Sequence, residues 1–388
     1  MYDGKLVFAQ VMEHMPMHTF RRCVERYGGD RGARSFSCAD QLRCMAFAQL
    51  TYRESLRDIE TCLRAQREKL YHMGLRGGVA RATLADANEA RDWRIYAEFA
   101  QALIKQARRL YADDEFGVEL KATTYALDTT TIDLCLSLFP WAPFQRSKAA
   151  VKLHTAIDLR GNIPTVVHID DAKSYDADIL DVMIAEAGAY YVMDRGYFHL
   201  ERLHRLTLAG AFFVIRARRN LLFRRVASHT IDKACGLRSD QTIMLTGEKS
   251  VVRYPTRLRR VRYHDRETKK SLTFLTNNFT LPALTVADLY RARWQIELFF
   301  KWIKQNLRIK TFYGTSENAV KTQIWIAIAV YVLVAILKKR LKIEASPHTI
   351  LQILSVTAFE KMPLDQALGK AQPQLQDQSI ANQLNLFG

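Results

Sequence analysis

One uninterrupted helical pattern, TVADLYRARWQIELFFKWIKQNLRIK over residues 285–310, constrains this chain more than any other stretch. Neither Gly nor Pro interrupts it, and Thr285 followed by Asp288 is typical of a helix N-terminus. Apolar residues recur at helical spacing on one side, and polar residues form a row within about 60° on the next side. The row consists of Tyr290, Arg293, Glu297, Lys304 and Arg308. A phenol, a carboxylate and several cations in one row suit the binding and cleavage of a phosphate backbone.

The charge balance predicts a polyanionic partner. The 388 residues, enough for two or three domains, carry a net charge of +17 with a pI of about 9.6. Double-stranded DNA is the first expectation, and an anionic membrane surface is the rival. The longest apolar run, residues 324–337, is shorter than the roughly 20 residues that cross a bilayer, so we expect a buried core helix and no membrane partner. Six cysteines without a CxxC pair, and no signal segment at the start, predict a cytoplasmic protein.

Residues 1–112 are predicted to form a helical, strongly charged unit. Helical periodicity runs through residues 37–63 with a break near Thr51, and the glycine-rich residues 74–78 precede a second helix capped by Thr83. A helix, a glycine turn and a second helix among arginines are typical of a DNA-binding domain of the helix-turn-helix kind. A plain helical domain with a solvated basic face fits the pattern equally well. The arginines assigned to DNA binding are Arg57, Arg76, Arg81 and Arg91.

From about residue 123 the pattern changes to strands. Three strand-like runs with turn signals between them are followed by a helical stretch that ends at Gly188. The apolar run AYYVMDRGY then predicts a strand whose end carries Asp194, and a further helix and strand follow. Consecutive strands followed by alternating helices and strands predict a mixed α/β sheet layered by helices.

Two aspartates of this region have the setting of a metal site. Asp128 lies inside an apolar strand, where a carboxylate is costly unless it faces a metal ion or another partner. Asp194 ends a strand, where an α/β sheet usually exposes its site. Each has a plainer interpretation. Asp194 can form a surface ion pair with Arg195. Asp128 can be a turn residue, which leaves Asp133 or Asp158 as the strand carboxylate.

The polar row of residues 285–310 resembles the Y-R-E-K signature of DDE transposases from bacterial insertion sequences of the "IS four" family. The matching residues are Tyr290, Arg293, Glu297 and Lys304. LDTT and DRGY, which contain the two aspartates, resemble the family's aspartate motifs. The resemblance implies a ribonuclease-H-like core in which Asp128, Asp194 and Glu297 form the catalytic, metal-binding triad.

The resemblance also implies two Mg²⁺ ions per active site, with Mn²⁺ as a substitute. Two divalent ions about 4 Å apart stabilise both the attacking and the leaving oxygen of a phosphodiester, and Mg²⁺ prefers oxygen ligands. His154, His168 and His199 lack a zinc-like spacing and are interpreted as structural. The side chains expected to grip DNA phosphates are Tyr290, Arg293, Lys304, Lys301 and Arg308.

Residues 218–270 are predicted to form a basic, β-rich segment. Residues 216–262 contain thirteen Lys or Arg against three acids, a balance of +10. The segment resembles an insertion in which relatives place a base-stacking Trp, yet it contains no Trp. Phe223, Tyr254 and Tyr263 are the alternatives, and the sequence does not choose among them.

Two terminal stretches resemble further parts of known proteins. FSCADQ, LTYRESLRDIE and TLADANEARDW resemble the N-terminal domain of one transposase subgroup, which implies recognition of the element's end. QLNLF at the C-terminus resembles the peptide that docks on the bacterial sliding clamp, and a tail packed on its own core is the plainer interpretation. The clamp-binding residues would be Gln383, Leu384, Leu386 and Phe387.

The sequence thus predicts an α/β protein with an N-terminal all-helical DNA-binding domain and a ribonuclease-H-like core split by an insertion. The predicted parts are residues 1–112 for DNA binding, 113–217 and 271–345 for the core, 218–270 for the insertion, and 346–388 for a helical region and flexible tail. The resemblance implies a homodimer on DNA, cleavage at the element's terminal inverted repeats, and joining of 3′-hydroxyls to target DNA at the bacterial nucleoid. The alternatives are a non-catalytic DNA-binding regulator or inactivated relative, and a ribonuclease-H-like nuclease that cuts without joining.

Overall fold

The computed structural model describes residues 4–145, 148–306 and 312–369. The N-terminal part of the described chain is helical. The helical course breaks at Thr51, as the sequence predicts. Ser37 caps the third helix in a capping box with Asp40, and Ser55 caps the fourth helix. The helices are α1 (Val7–Glu13), α2 (Met17–Tyr27), α3 (Cys38–Leu50), α4 (Leu56–Ala65), α5 (Arg81–Ala90) and α6 (Arg94–Leu110).

The connection between α4 and α5 differs from the predicted helix-turn-helix. Residues 66–80 separate the two helices and include two short 3₁₀ turns, whereas a helix-turn-helix uses a turn of about three to four residues. The Thr83 cap is also wrong: α5 begins at Arg81 after Ala80, with no side-chain cap, so Thr83 lies within the first turn.

The middle of the chain forms the first strands of one large sheet. The predicted helix ending at Gly188 is shorter than expected, because α7 already ends at Val182. The elements are β1 (Thr124–Leu134), β2 (Pro143–Gln145), β3 (Lys148–Asp158), β4 (Ile163–Asp171), α7 (Ile179–Val182), β5 (Tyr190–Met193), α8 (Leu200–Leu208) and β6 (Phe212–Arg216). In space, β4, β3 and β1 lie side by side as antiparallel neighbours, and β5 and β6 continue the sheet parallel to β1. This mixed, helix-layered sheet is ribonuclease-H-like, which confirms the predicted fold class.

The basic segment continues the same sheet. After β6 come β7 (Phe223–His229), β8 (Leu237–Leu245), α9 (Glu248–Arg253), β9 (Leu258–His264) and β10 (Ser271–Thr276). β10 pairs antiparallel with β6, and β9, β8 and β7 follow in that order to the far edge. The described part of the chain therefore contributes ten strands to one sheet, in which the basic strands extend the core.

The signature region forms two helices where the sequence predicts one. They are α10 (Ala283–Ala292) and α11 (Trp294–Asn306). The cap prediction at Thr285 is wrong, because α10 begins two residues earlier, directly after Pro282, which has no N–H to leave unpaired. The break falls at Arg293, where the Ile296 N–H bonds to the Arg293 carbonyl at 3.0 Å in a tighter i→i+3 turn.

The C-terminal helices complete the core. They are α12 (Glu317–Arg340), α13 (Pro347–Thr357) and α14 (Leu364–Gly369). α12 is long and apolar enough to cross a membrane by composition alone, but 94% of its most apolar window is buried inside the protein. Its side chains share one hydrophobic cluster with α1 to α6, β1 and α11, and Tyr111 Oη donates to the Ala335 carbonyl at 2.8 Å. The prediction of a buried core helix is confirmed, and this core joins the N-terminal helices to the sheet.

Candidate active site

Two aspartates lie at the same level of adjacent strands. β1 and β5 are parallel, and their register pairs Leu127 with Met193. The next residue on each chain is an aspartate, Asp128 on β1 and Asp194 just beyond the end of β5. Both are partly buried. The register therefore brings together the two carboxylates that the sequence predicts for the metal site.

The helix break brings a glutamate and an arginine to the same place. Arg293 Nη1 donates to Asp128 Oδ2 at 2.7 Å, and its Nη2 donates to Glu297 Oε1 at 2.6 Å. The Arg293 side chain is only 13% exposed, so these are largely desolvated ion pairs. One guanidinium thus links the strand carboxylate to the helix carboxylate.

The electrostatics of Asp128 show how close the acids are. Burial raises the pKa of Asp128 to about 6, even though the Arg293 charge and the backbone N–H of Thr129 oppose the rise. The negative charges of Asp194 and Glu297 raise this pKa further. A pKa perturbed by burial and by specific charge partners marks a candidate functional site.

The plainer interpretations of the aspartates find less support. Asp158 pairs with Arg108 at 3.3 Å, and Asp133 is exposed. Asp194 Oδ1 accepts from the Gly196 backbone N–H at 2.8 Å, and the described part of the chain shows no Asp194–Arg195 ion pair.

A hydrogen-bond chain that we did not predict lies beside the aspartates. Thr129 Oγ1 lies 2.8 Å from Tyr197 Oη and 3.0 Å from His154 Nδ1, and His154 Nε2 lies 3.1 Å from Ser174 Oγ. Burial, helped by the Lys152 charge, lowers the pKa of His154 to about 4, so the imidazole is neutral. The chain ties the turn after Asp194 to the strand of Asp128. In the sequence, the tyrosine of DRGY, Tyr197, was the one signal that could have pointed to this hydrogen-bond chain.

The predicted phosphate contacts have different settings. The Tyr290 ring packs on Phe274 with centroids 4.7 Å apart, and the Arg293 guanidinium lies 5.6 Å from the Tyr290 ring. Lys301 and Lys304 are exposed on α11. The other predicted positions lie outside the described residues: Arg308, Gln383, Leu384, Leu386 and Phe387.

The four N-terminal arginines divide into two groups. Arg57, Arg76 and Arg81 are exposed. Arg91 instead has an internal role, which argues against the predicted DNA contact. Its Nη1 donates to the Ser37 carbonyl and to Gln41 Oε1, both at 2.9 Å, its Nη2 donates to the Phe36 carbonyl, and its guanidinium stacks 5.2 Å from the Phe36 ring.

The candidate base-stacking aromatics are all engaged within the protein. Tyr254 is buried, with its hydroxyl 2.9 Å from Thr207 Oγ1, which removes it as a stacking residue. Tyr263 Oη accepts from Arg291 Nη2 at 2.9 Å. The Arg260 guanidinium lies over the Phe223 ring, 4.9 Å from its centroid.

The donor set suits a hard divalent cation, since all three acids offer carboxylate oxygens. In the conformation described, however, Arg293 holds two of the acids. Accordingly, within residues 4–145, 148–306 and 312–369 no three His, Cys, Asp or Glu side chains are already arranged around a metal position.

Comparison with known families decides the identity. The family described as "Transposase DDE domain" matches residues 119–333, more than half of the chain. This chain is a DDE transposase. A domain of unknown function, DUF4372, matches residues 3–76.

Known relatives agree with this membership. A putative transposase of Sinorhizobium fredii is 35% identical over 261 residues, which cover 65% of this chain and 70% of the relative. A putative transposase for insertion sequence element IS4SA of Synechocystis is 24% identical over 279 residues, 70% of this chain and 76% of the relative. A piggyBac transposase synaptic complex with hairpin DNA aligns with 97% of this chain and 83% of its own, at 10% identity and a TM-score of 0.43.

The transposase is therefore of the IS four kind, as its sequence motifs predict. It is a DNA-binding, metal-dependent enzyme that cleaves DNA and transfers strands, and DDE domains generally use divalent cations for this chemistry.

Proposed function

We propose that this transposase cuts DNA at the terminal inverted repeats of its own insertion sequence and joins the released 3′-hydroxyls to target DNA. The observation that carries the proposal is the convergence of Asp128, Asp194 and Glu297. Strand register sets the two aspartates at one level, and Arg293 connects Asp128 to Glu297.

The three acids would hold two Mg²⁺ ions, with Mn²⁺ as a substitute. When bound, the ions activate the attacking oxygen and stabilise the leaving oxygen of the phosphodiester. Asp128 and Asp194 are held on the rigid sheet, while Glu297 comes from a helix that follows a break. Arg293 must therefore exchange its carboxylate partners when the acids take up metal, and a DNA phosphate is a suitable new partner for its guanidinium.

The remaining site residues would position DNA. We infer phosphate contacts by Tyr290, Lys301 and Lys304 from their location along α10 and α11, and we extend the inference to Arg308. Residues 1–112 would recognise the element's end through Arg57, Arg76 and Arg81, because these cations are exposed on one helical region.

The proposed assembly is a homodimer on two DNA ends in the bacterial cytoplasm, at the nucleoid. Segments 113–217 and 271–345 would act as the catalytic core and the basic segment 218–270 as a DNA-facing insertion. Residues 346–369 would act as a C-terminal helical region, and the predicted tail lies outside the described residues. We also propose that Gln383, Leu384, Leu386 and Phe387 dock on the sliding clamp. A pull-down that recovers equal amounts of clamp after deletion of residues 383–388 would eliminate that contact.

The decisive experiment maps DNA breaks. Purified protein and Mg²⁺ are incubated with a DNA fragment that carries the gene and its flanks, and the breaks are mapped to the nucleotide. We expect paired cuts at inverted repeats that bracket the gene, followed by joining to target DNA. Cutting without any joining would indicate a ribonuclease-H-like nuclease.

The matched control is the double variant Asp128→Asn with Glu297→Gln. It should bind the fragment as wild type does but make no cuts in Mg²⁺ or Mn²⁺. Binding without cutting by the wild-type protein in both metals would instead favour a non-catalytic regulator or an inactivated transposase.

A further inference from the structure

A pocket lined by six arginines lies near the candidate carboxylates. Its volume is about 360 Å³, and its lining contains no acidic residue. Phe223, Ser271 and Thr273 supply part of the remaining wall. The arginines, which we call the arginine pocket, are Arg195, Arg216, Arg218, Arg219, Arg260 and Arg262.

These guanidiniums are not neutralised by the protein. In the described part of the chain none of the six forms an ion pair with a carboxylate, whereas Arg108, Arg202, Arg205 and Arg259 each do. Arg218 donates to the Phe198 carbonyl at 3.1 Å, and Arg260 donates to Gln241 Oε1 at 3.1 Å. The Arg195 Nε is buried without a hydrogen-bond partner among the described residues. A buried donor without a partner is costly, so the site has unused capacity for an acceptor.

Like charges crowd each other in the pocket. Burial, together with the neighbouring Arg262 charge, lowers the pKa of Arg260. Such mutual repulsion weakens when an anion enters. Guanidiniums bind phosphate oxygens in bidentate geometry, which makes phosphate the favoured anion.

The pocket lies beside the candidate active site because of the sheet topology. Arg195 follows Asp194 directly, and Arg216 ends β6, the parallel neighbour of β5. Thr273 and Arg262 are register partners on β10 and β9, and the Ala217 N–H bonds to the Thr273 carbonyl at 2.8 Å. The strands of the basic segment therefore place their arginines at the end of the sheet where β5 stops and Asp194 follows.

We propose that the arginine pocket binds phosphate groups of the DNA strand next to the scissile phosphate. This inference rests on the proposed function, since it places the scissile phosphate at Asp194. The pocket would hold the strand through its backbone and would be indifferent to base sequence. Free phosphate has the same chemistry, and the experiment below separates the two sources.

The test uses a pocket variant and a matched control. The pocket variant is Arg219→Gln with Arg262→Gln. Both residues are exposed and neither side chain forms a hydrogen bond within the described part of the chain, so folding is little affected. The control is Lys121→Gln with Lys342→Gln, which removes the same charge from exposed positions outside both the pocket and the basic segment 218–270.

Two quantities are measured without divalent metal. The first is the slope of log K against log salt for a short fluorescent duplex from the gene's flank. We expect the slope to fall by about 1.8 in the pocket variant, since each phosphate contact contributes about 0.9. The second is the thermal shift that pyrophosphate produces, which we expect in wild type and control but not in the pocket variant.

Each outcome decides between the proposals. Equal slopes for wild type and pocket variant overturn the DNA assignment, and a pyrophosphate shift that nonetheless depends on the pocket would identify a site for free anions only. Neither measurement involves cleavage. If the slope and the thermal shift are as expected but the protein never cuts DNA, only the catalytic proposal is overturned.

Discussion

Arg293 donates to Asp128 at 2.7 Å, although 165 positions separate the two residues in the chain. The same guanidinium reaches Glu297, four residues further along, at 2.6 Å. It therefore compensates two of the three acids at the candidate site, which would otherwise repel one another in a partly desolvated place. This dual contact defines the most direct test of the site.

Replacing Arg293 should destabilise the protein and increase its response to metal. Arg293→Gln leaves two carboxylates without their cation, and loss of one partner from a buried pair costs about 3 kcal/mol. We expect a lower Tm in the absence of divalent cations, and a larger rise in Tm with Mn²⁺ than in wild type. Differential scanning fluorimetry across a Mn²⁺ titration measures both effects.

Arg291→Gln is the matched control, because Arg291 pairs with Asp288 at 3.2 Å on the exposed side of the preceding helix. Its effect should stay within about 1 kcal/mol. An Arg293 variant that shows the wild-type Tm and Mn²⁺ response would contradict the ionic link.

Tyr197 is expected to position the aspartates. Tyr197→Phe removes the hydroxyl that meets Thr129 and should cost about 1 kcal/mol of stability. Because the turn after Asp194 is then less firmly tied to β1, we expect cleavage to slow roughly tenfold with DNA affinity unchanged. Single-turnover cleavage and equilibrium unfolding separate the two effects.

Tyr190→Phe provides the comparison for Tyr197. Tyr190 also lies at the β5 strand, and its hydroxyl accepts from Asn278 Nδ2 at 2.9 Å, away from the acids. It should lose similar stability but retain its cleavage rate. Equal cleavage rates in the two variants would remove the positioning role.

His154 should make stability depend on pH. Its folded pKa of about 4 lies below the ordinary value of 6.5, so between these values only the unfolded chain takes up the proton. The stabilisation is therefore complete above about pH 6.5 and is lost as the pH falls towards 4, by at most about 1.4 kcal/mol per pH unit. Asp128 has the opposite effect on stability. Because its pKa is raised to about 6 in the folded chain, the folded chain binds this proton at a higher pH than the unfolded chain does, and acidification then favours the folded state.

The variant His154→Gln isolates the histidine contribution. Urea unfolding from about pH 7 to about pH 4.5 should show a shallower loss of stability on acidification than in wild type. Parallel pH profiles for the two proteins would show that His154 is not the titrating group.

Lys304 should contribute one phosphate contact. Lys304→Ala is expected to reduce the slope of log K against log salt for DNA binding by about one unit. Lys121→Ala is the control, since Lys121 is exposed just before β1. It therefore lies at the N-terminal end of the parallel strands β1 and β5, and Asp194 lies at their C-terminal end. Equal slopes for the Lys304 variant and wild type would exclude the contact.

Much of the local structure could be predicted from the sequence. Apolar, strand-like runs identified the strands that carry Asp128 and Asp194, and helical periodicity with a break near Thr51 matched α3 and α4. The family followed from short motifs whose spacing along one helical region does not depend on the rest of the fold. The predicted caps at Thr83 and Thr285 failed because neighbouring backbone and packing decide where a helix begins.

By itself, the sequence determined most of the strands and helices, the basic charge, and the spacing of the acids and cations in its motifs, because propensity and periodicity act over a few residues. Only the tertiary structure decided which partners these residues meet. Strand register set Asp128 level with Asp194, the turn at Arg293 brought its guanidinium to Asp128, and packing turned Arg91 inward. The arginine pocket collects residues from β6, β9 and the turn after β5. Such contacts depend on sheet order and long-range packing, which no local pattern encodes.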